Sequence, residues 1–496
     1  MQSFNYLAKK TFEQTGTPSH CLKGGIMNYI NEKLVEFNNY LHGRKVAIIG
    51  LGVSNEPLID YLHNLKSDVT VFDSREIDNI DKKIINKVVN YGMKFYFGKG
   101  YLDYLKNFDI IFRAPSCLPT IPELVEEANR GAIVTTEIEM VIELCPCLVI
   151  GVTGSEGKTT TTTLIYEILK EDGYNCFLGG NIGVPLFTKI SEMKPEDIVI
   201  LELSSFQLMN MKTSPKISIV TNIVPEHLNV HKDMEEYIES KKNIFKYQDK
   251  DGLLILNYDN EITREFIKEA KGKVVYFSSK NKILNGYIVD DGKIKICENG
   301  LRKHFFDTKN MKLRGVHNFE NACCAIIATK DLVKKESIDK VLSEFNGVEH
   351  RLELIKETKD RIKWYNDSVC TSPTSVIAGL NAFALKNIIL IAGGYDKGHD
   401  YTEIGKPVVD NCKALILLGA TADKIEKAVT EELKRSKRDL PIYRCESLIQ
   451  TVNKASEIAK AGDIVLFSPA SASFDMFKNF AERGNLFKKY VSEIVK

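Results

Sequence analysis

Short uninterrupted runs of apolar residues recur along the chain, and stretches with helical periodicity separate them. Such runs are typical of parallel strands that are buried on both faces of an α/β sheet. Three groups of these runs follow one another, so the sequence predicts three α/β units in series. The runs that carry this prediction are Lys45–Ile49, Val69–Phe72, Asp109–Phe112, Cys147–Ile150, Ile198–Leu203, Ile388–Ala392, Ala414–Leu418 and Ile464–Phe467.

The spacing of the runs also suggests domain boundaries. We expect an N-terminal extension and helix at 1–42, followed by domains at 43–146, 147–347 and 348–496. The last boundary falls in a linker around Phe345-Asn346-Gly347.

Three stretches depart from the strand–helix alternation. An amphipathic helix is predicted from Met27, with an apolar side that includes Ile30, Leu34, Val35 and Phe37. Between about 253 and 308 the pattern favours hairpins, with Asp291-Gly292 as a turn. A helix is then predicted at about 316–334.

Composition narrows the class of protein. The chain has 496 residues, and its 67 Lys and Arg nearly balance 66 Asp and Glu. This balance, together with 44% hydrophobic residues, excludes a disordered chain and a protein that holds nucleic acid by bulk charge. No apolar run approaches the ~18 residues of a membrane span, and no secretory signal is recognisable, so we expect a cytoplasmic protein without membrane or nucleic-acid partners.

The cysteines give no sign of a metal site. There are 11 of them, and two pairs stand close in sequence, Cys145-Pro146-Cys147 and Cys323-Cys324. We interpret both pairs as small buried hydrophobes in a reducing compartment, without structural disulfides or zinc.

A glycine-rich loop from Gly151 to Thr160 joins an apolar strand to a helix predicted to begin near Thr160. Its glycines let backbone N–H groups turn toward an anion, and the helix N-terminus adds positive potential. Lys158 can reach terminal phosphates, and Thr159 can ligate magnesium. Val152 stands where the usual loop has its first glycine, yet the arrangement still predicts an ATP site.

Two charged residues interrupt apolar faces near this loop. Glu202 ends a buried strand, where an unpaired carboxylate costs several kcal/mol, so we expect magnesium or a structural ion pair beside it. Lys241 falls on the apolar stripe of a helix predicted from about Lys232, whereas Lys242 is turned about 100° away. A lysine on that stripe must be neutralised, paired or modified, or must extend its amine to solvent.

Several motifs together resemble the Mur ligases from about residue 43 to the C-terminus. They are the phosphate loop, Gly180-Asn181-Ile182-Gly183, Glu202 to Gln207, His317-Asn318 with Asn321, Ser468 to Ser473, Phe477 to Phe480 and Arg483-Gly484-Asn485. The C-terminal motifs narrow the resemblance to members that add glutamate to UDP-N-acetylmuramoyl-L-alanine in peptidoglycan precursor synthesis. The implied fold has a Rossmann-like N-terminal domain, a central P-loop ATPase domain with a small antiparallel β section, and a Rossmann-like C-terminal domain.

The resemblance implies a role for each matching residue. It places the UDP-sugar at Gly52, Val53, Ser54, Asp73, Ser74, Arg75 and Asn181. It places ATP at Gly154, Ser155, Glu156, Gly157, Lys158, Thr159, Thr160, Asn321, Arg351 and Asp367. It places glutamate at Thr371, Lys397, Ser473 and Phe480. The implied catalytic residues are Lys158, Glu202, His227 and Lys241, and magnesium, expected at two sites, would be held by Thr159, Glu202, His227 and a carbamate on Lys241.

Two positions depart from the family pattern. Many members have Lys-Ala where this chain has Val369-Cys370, and Ser-Pro-Gly is common where it has Ala114-Pro115-Ser116. The first departure leaves open whether D- or L-glutamate is selected, with D-glutamate expected.

The expected activity is ATP-driven amide formation through an acyl phosphate and a tetrahedral intermediate, carried out by a monomer. One alternative is a related ligase with another acceptor, such as folylpolyglutamate synthase, against which the N-terminal domain argues. Another alternative is a nucleotide-regulated protein that does not ligate.

Overall fold

The computed structural model describes residues 29–226, 230–313, 315–381, 383, 387–396 and 398–495. The chain forms two compact units, one ending at Phe345 and the other beginning at Asn346. The first unit contains two sheets and the second contains one, so three mixed α/β sheet assemblies follow one another along the chain. Within the described ranges, no helix combines the length and the apolar character that a membrane crossing needs.

The first sheet has five parallel strands in the order β3-β2-β1-β4-β5. The strand order reverses between β1 and β4, so the loops that follow these two strands open beside each other at the carboxyl edge, where α/β sheets bind ligands. The elements are α1 Glu32–Leu41, β1 Lys45–Ile49, α2 Glu56–Asn64, β2 Asp68–Asp73, α3 Lys82–Asn90, β3 Lys94–Phe97, β4 Ile110–Arg113, α4 Pro122–Arg130, β5 Ile133–Thr135 and α5 Glu137–Leu144.

Helix α1 differs from the prediction in its start and in its apolar side. Asn31 caps the helix by accepting a hydrogen bond from the Leu34 amide, and its own amide group donates to the Leu144 carbonyl. These two bonds fix the first turn at Glu32. Leu34 and Phe37 are buried as predicted, but Ile30 and Val35 are 68% and 46% exposed, and the proposed start at Met27 lies outside the described residues.

The second sheet has nine strands in the order β14-β13-β12-β11-β10-β9-β6-β8-β7. All of its described pairings are parallel from β7 to β12, and only β12, β13 and β14 form an antiparallel meander. The elements are β6 Leu148–Thr153, α6 Lys158–Glu171, β7 Cys176–Gly180, β8 Ile198–Glu202, α7 Ser205–Leu208, β9 Ile217–Val220, α8 Met234–Lys246, β10 Leu253–Asn257, α9 Glu261–Glu265, β11 Lys273–Ser278, β12 Gly286–Asp290, β13 Lys293–Glu298, β14 Leu301–Asp307, α10 Val316–Thr329 and α11 Lys335–Glu344.

The hairpin prediction for 253–308 is therefore wrong in its first half. Strands β10 and β11 run parallel, because α9 and the short turn after it carry the chain back across the sheet between them. The turn at Asp291-Gly292 is confirmed between β12 and β13. The helix predicted at 316–334 ends at Thr329, and a second helix, α11, follows it.

The second unit has six strands in the order β15-β16-β20-β17-β18-β19, and β15 is antiparallel to its neighbour. Its central strand β17 is fully buried, which is what an apolar run in a doubly covered sheet predicts. The elements are β15 Glu353–Glu357, β16 Lys363–Asn366, α12 Pro373–Asn381, β17 Ile388–Ala392, α13 Gly405–Asn411, β18 Cys412–Leu417, α14 Ala422–Ser436, β19 Ile442–Arg444, α15 Leu448–Ile458, β20 Ile464–Phe467 and α16 Phe480–Ile494.

Candidate active site

The glycine-rich loop connects β6 to α6, and two of its positions accept only glycine. Gly154 and Gly157 have φ values of 148° and 79°, in the region that favours glycine. A Cβ at Gly154 would clash with the Thr221 hydroxyl, and one at Gly157 with the Asn321 side chain. The predicted helix begins at Lys158, two residues earlier than expected, with Gly157 as its N-cap.

The segment after β9 holds this loop in place. The Thr221 hydroxyl donates to the Glu156 carbonyl at 2.5 Å, and the Glu156 amide donates to Asn222 Oδ1 at 2.9 Å. The Ser155 hydroxyl lies 2.9 Å from the Tyr237 hydroxyl on α8. The loop backbone is therefore fixed by side chains before any phosphate binds, which reduces the ordering cost of binding.

Two lysines converge on one carbonyl of the loop. Lys158 Nζ donates to the carbonyls of Gly154 and Ser155, at 2.9 and 2.6 Å. Lys241 Nζ donates to the same Gly154 carbonyl at 2.8 Å and lies 4.7 Å from the centre of the Tyr237 ring.

Lys241 is almost completely buried, at 1% exposure. Burial, and next the positive charge of Lys158, lower the pKa of Lys241 from 10.5 to about 7, although Glu226 and Glu202 act in the opposite direction. A substantial share of Lys241 amines is therefore neutral near pH 7, whereas an exposed lysine is almost entirely charged there.

Glu202 ends β8 beside the loop and is 1% exposed. Its Oε1 accepts a hydrogen bond of 2.7 Å from the Asn181 side chain, and its backbone carbonyl accepts one of 2.7 Å from the Asn181 amide. Its other oxygen, Oε2, is buried and accepts no hydrogen bond from any described residue. A buried carboxylate oxygen without a donor is costly, so the position suits a cation.

The predicted magnesium ligands can be compared with the side chains that lie near Glu202. The described residues contain no group of three or more His, Cys, Asp and Glu side chains placed to hold a metal. Glu202 Oε2 and Thr159, which is buried in the first turn of α6, are oxygen ligands of the kind that magnesium prefers. Lys241 would supply oxygen only as a carbamate, and the predicted ligand His227 lies outside the described residues. The described part of the ligand set therefore fits the ion in its chemistry.

A cleft of about 810 Å³ joins the two sheets of the first unit. At one end it is lined by the loops after β1 and β4, through Ser54 and Pro115, and at the other by Lys158 and Lys241. Its remaining lining residues are Val53, Ser116, Leu118, Glu137, Gly180, Asn181, Ile182, Gly183, Val184, Pro185, Ser204, Ser205, Phe206, Gln207, Glu226 and Val230. The cleft thus contains three residues predicted to bind the UDP-sugar, Val53, Ser54 and Asn181, and one predicted to bind phosphate, Lys158.

Asp73 lies behind the loop that follows β1 and is not among the residues that line the cleft. Its Oδ2 accepts from the Leu51 amide at 2.7 Å and from the Arg75 guanidinium at 2.7 Å, while its Oδ1 accepts from the Arg75 amide and Nε. Burial alone would raise the pKa of Asp73, but these hydrogen bonds outweigh burial and lower it. Asp73 therefore orders the turn at residues 50–54, which contains Gly50 and Gly52 and is called the glycine turn below. Ser74 and Arg75 are exposed beside it.

Asn321, the residue of the first unit that is predicted to bind ATP but lies outside the loop, is on α10. Asn321 is buried, and its Oδ1 accepts a hydrogen bond of 3.2 Å from the Thr161 hydroxyl in α6. Thr160 is half-buried and Glu156 is exposed on the same loop. Asn321 is thus brought against the phosphate loop, as its clash with a Cβ at Gly157 also indicates.

The other predicted residues belong to the second unit. Arg351 is exposed, whereas Asp367 is buried and accepts from the Ser468 hydroxyl at 2.6 Å, and its burial raises its pKa to about 6. Ser473 is buried, Thr371 is half-buried, and Phe480 is 41% exposed at the start of α16. Lys397 lies outside the described residues.

The sequence reading missed Arg483, which connects three segments of the second unit. It is 1% exposed, and its guanidinium donates to the carbonyls of Ser368 and Ala472, each at 2.9 Å. The Ser368 hydroxyl in turn donates to the Phe480 carbonyl at 2.7 Å. Arg483 therefore holds the loops that carry Thr371 and Ser473 against the start of α16, where Phe480 lies. Burial lowers the pKa of Arg483 to about 10. The sequence feature that could have identified Arg483 is its place in the motif Arg483-Gly484-Asn485.

Solved structures of low sequence identity share the fold. The UDP-N-acetylmuramate–alanine ligase of Thermotoga maritima matches with a TM-score of 0.52 at 18% identity, covering 91% of this chain and 100% of that chain. The pseudomurein peptide ligase type C of Methanothermus fervidus matches with a TM-score of 0.51 at 19% identity, with the same coverage.

Comparison of sequences identifies the family, whereas these structures show only a shared fold. Three family models match in succession: the Mur ligase MurD-like N-terminal domain at residues 44–136, the Mur ligase middle domain at 152–329, and the Mur ligase glutamate ligase domain at 350–471. The UDP-N-acetylmuramoylalanine–D-glutamate ligase of Acetivibrio thermocellus is 49% identical over 94% of this chain and 100% of its own length. The proteins of that name from Ruminiclostridium cellulolyticum and Clostridium tetani are each 46% identical, with the same coverage. Because this identity extends over nearly the whole sequence, the chain belongs to the Mur ligase family.

Proposed function

We propose that this protein is the ATP-dependent ligase that joins D-glutamate to UDP-N-acetylmuramoyl-L-alanine in peptidoglycan precursor synthesis. The curated relatives named for this reaction support the substrates. The observation that carries the proposal is the cleft between the two sheets of the first unit, because it leads from the glycine turn after β1 to the phosphate loop. A long substrate with a nucleotide at one end and a carboxylate at the other matches that path.

The nucleotide end of the UDP-sugar is assigned to the turn at residues 50–54 and the facing residues Pro115 and Ser116. Asp73 holds the Leu51 amide, so the turn keeps its conformation when the substrate binds. The alanyl carboxylate then points toward Lys158, and Asn181 lines the cleft on the way.

ATP is assigned to the loop from Gly154 to Thr160, with Asn321 beside it. Lys158 exchanges its two backbone carbonyl partners for phosphate oxygens, which form stronger, charge-assisted hydrogen bonds. The substrate carboxylate attacks the γ-phosphorus in line, the bond to the bridging oxygen breaks, and an acyl phosphate and ADP result. Lys158 stabilises the negative charge that is transferred, and the preformed loop supplies N–H donors.

Magnesium, when bound, neutralises phosphate charge. We assign its binding to Thr159, Glu202 and Lys241, with His227 as a further ligand and two sites in all. Lys241 contributes after its neutral amine attacks carbon dioxide and loses a proton, which gives a carbamate with two oxygens. The lowered pKa of Lys241 supports this step, because only the neutral amine is a nucleophile.

Glutamate is assigned to Thr371, Lys397, Ser473 and Phe480 of the second unit. Hydroxyl groups and a lysine suit a dicarboxylate, and Arg483 orders the loops that carry the described members of this set. The glutamate amine attacks the acyl phosphate carbon, a tetrahedral intermediate forms, and phosphate leaves. We further propose that the protein acts as a monomer in the cytoplasm, which size-exclusion chromatography with light scattering and cell fractionation would test.

The decisive assay measures ADP release with both substrates, with each one omitted, and with L-glutamate or L-lysine in place of D-glutamate. We expect turnover only with UDP-N-acetylmuramoyl-L-alanine and D-glutamate together, and its loss in Lys158→Met. The Lys242→Met variant is the matched control, because Lys242 also lies on α8 but bonds to Glu239 on the same helix and to Glu269 beyond it. Turnover that ignores both substrates would contradict ligation, and a preference for L-glutamate would contradict the assigned stereochemistry.

A further inference from the structure

A three-residue link, Cys145-Pro146-Cys147, joins the last helix of the first sheet assembly to the first strand of the second. Cys145 follows α5, where its amide closes the helix on the Val141 carbonyl. Cys147 directly precedes β6, the strand that leads to the phosphate loop. The two cysteines have no part in the proposed ligation chemistry.

The two sulfur atoms of this link are already in contact. Cys145 Sγ lies 3.1 Å from Cys147 Sγ and 3.8 Å from the sulfur of Met193. A disulfide bond is ~2.05 Å long, so the two sulfurs would have to approach by roughly 1 Å. Cys145 is 8% exposed, while Cys147 is half-buried and thus open to reagents.

The protonation of the pair differs from that of the other described cysteines. The hydrogen bond from the Cys147 thiol lowers the pKa of Cys145, and the same interaction raises that of Cys147. Burial instead raises the pKa of Cys176 to about 12 and also raises the pKa of Cys445. Burial likewise raises the pKa of Cys323, which is fully buried. Thiolate character is therefore concentrated at Cys145, and the thiolate is the reactive form.

We propose that Cys145 and Cys147 form a reversible modification site that takes low-molecular-weight disulfides and closes to an intramolecular disulfide. The Cys147 sulfur, the more accessible of the two, first passes its proton to the neighbouring Cys145 thiolate. It then attacks one sulfur of the reagent, whose S–S bond breaks and releases one thiol. The Cys145 thiolate then attacks the Cys147 sulfur of the mixed disulfide and expels the second thiol. One reagent disulfide is reduced to two thiols, two protein thiols become one disulfide, and the protons pass to the released thiolates.

The order of the two steps predicts different products in two single variants. Cys145→Ser removes the resolving sulfur, so its Cys147 should keep the reagent as a stable mixed disulfide. Cys147→Ser removes the accessible sulfur, so its buried Cys145 should react at least about tenfold more slowly than the wild-type pair. Cys145→Ala serves as a second variant in case the serine hydroxyl destabilises the buried position.

In the test, the folded, reduced full-length protein is treated with oxidised glutathione and its remaining thiols are blocked. It is then digested with trypsin, and the peptide masses are measured by mass spectrometry. The peptide 131–158 contains Cys145 and Cys147 and no other cysteine. We expect this wild-type peptide to lose two hydrogen masses without a glutathione adduct, and to regain them with dithiothreitol. A Cys176→Ser variant should form the same product, while circular dichroism confirms the fold of each variant.

Three outcomes would overturn the proposal. One is a wild-type peptide that stays reduced while Cys176 and Cys445 acquire adducts. Another is a disulfide that links this peptide to a different one. The last is a Cys145→Ser protein that fails to retain glutathione on Cys147, since the assigned order of attack requires that intermediate.

Discussion

Replacing Lys241 by methionine should stabilise the metal-free protein and do so in a pH-dependent way. Lys241 is 1% exposed, and its pKa in the folded state is lowered to about 7 by burial and by Lys158. The unfolded chain keeps the ordinary value of about 10.4, so folding forces the amine either to release a proton or to remain charged in a poor environment. Methionine has an unbranched side chain of similar length and carries no charge.

The magnitude follows from linkage between protonation and folding. A group whose pKa is depressed in the folded state destabilises the protein fully below that lower pKa, and the cost disappears as pH rises toward the unfolded value. At about 1.36 kcal/mol per pKa unit, the shift of Lys241 corresponds to about 4 kcal/mol at pH 7 and to about 1 kcal/mol at pH 9.5. Loss of the hydrogen bond to the Gly154 carbonyl offsets about 1 kcal/mol at every pH. The diagnostic quantity is therefore the decrease of about 3 kcal/mol between the two pH values.

The assay is urea unfolding followed by far-UV circular dichroism, in buffers free of carbon dioxide and magnesium. Lys242→Met is the matched control. The pKa of Lys242 is raised, because its bonds to Glu239 and Glu269 outweigh burial. Its contribution is therefore constant between pH 7 and pH 9.5. Fluorescence of Trp364, the single tryptophan, reports the second unit and should be unchanged in both variants. A Lys241→Met stability difference that stays constant across this pH range would refute the reasoning.

Four further substitutions test other parts of the site. Glu202→Gln keeps the side-chain shape but removes the proposed metal ligand, so ADP release should fall at least about 100-fold while the urea midpoint is unchanged or higher. Gly157→Ala introduces strain and a clash, and should raise the KM for ATP and lower the free energy of unfolding by about 1–3 kcal/mol. Asp73→Asn should raise the KM for the UDP-sugar roughly tenfold and leave the KM for ATP unchanged, since only the glycine turn after β1 loses support. Arg483→Lys retains the charge but loses the fork of donors, so the KM for glutamate should rise more than the KM for ATP; equal increases would contradict a positioning role.

Strands could be predicted from the sequence where both faces of the strand are buried, because such strands are uninterrupted apolar runs. The runs Lys45–Ile49 and Ile388–Ala392 became strands β1 and β17 with the predicted bounds, because an uninterrupted apolar run of that length fits a covered parallel sheet. For the stretch 253–278 the apolar pattern did not predict that its two strands run parallel. Strand direction depends on whether the connection crosses the sheet, and the five-residue helix α9 is too short to give a clear helical period.

The same distinction applies to the site. The phosphate loop was predictable because its glycines, its lysine and the following helix are contiguous in sequence, so local geometry determines the arrangement. The partners of that loop depend on strand order, which the pattern does not contain. Because β9, β6, β8 and β7 are neighbours in that order, Thr221 after β9 reaches the loop after β6, and Asn181 after β7 reaches Glu202 at the end of β8. Of the strands that lead to Thr221, Asn181 and Glu202, only the one that ends at Glu202 was predicted, and the order of the strands brings a hydroxyl, a buried carboxylate and an amide donor to one edge of one sheet. That order also accounts for the unequal oxygens of Glu202: the amide of Asn181, after β7, satisfies Oε1, whereas Oε2 is buried and accepts no hydrogen bond from any described residue, which leaves it for the proposed cation.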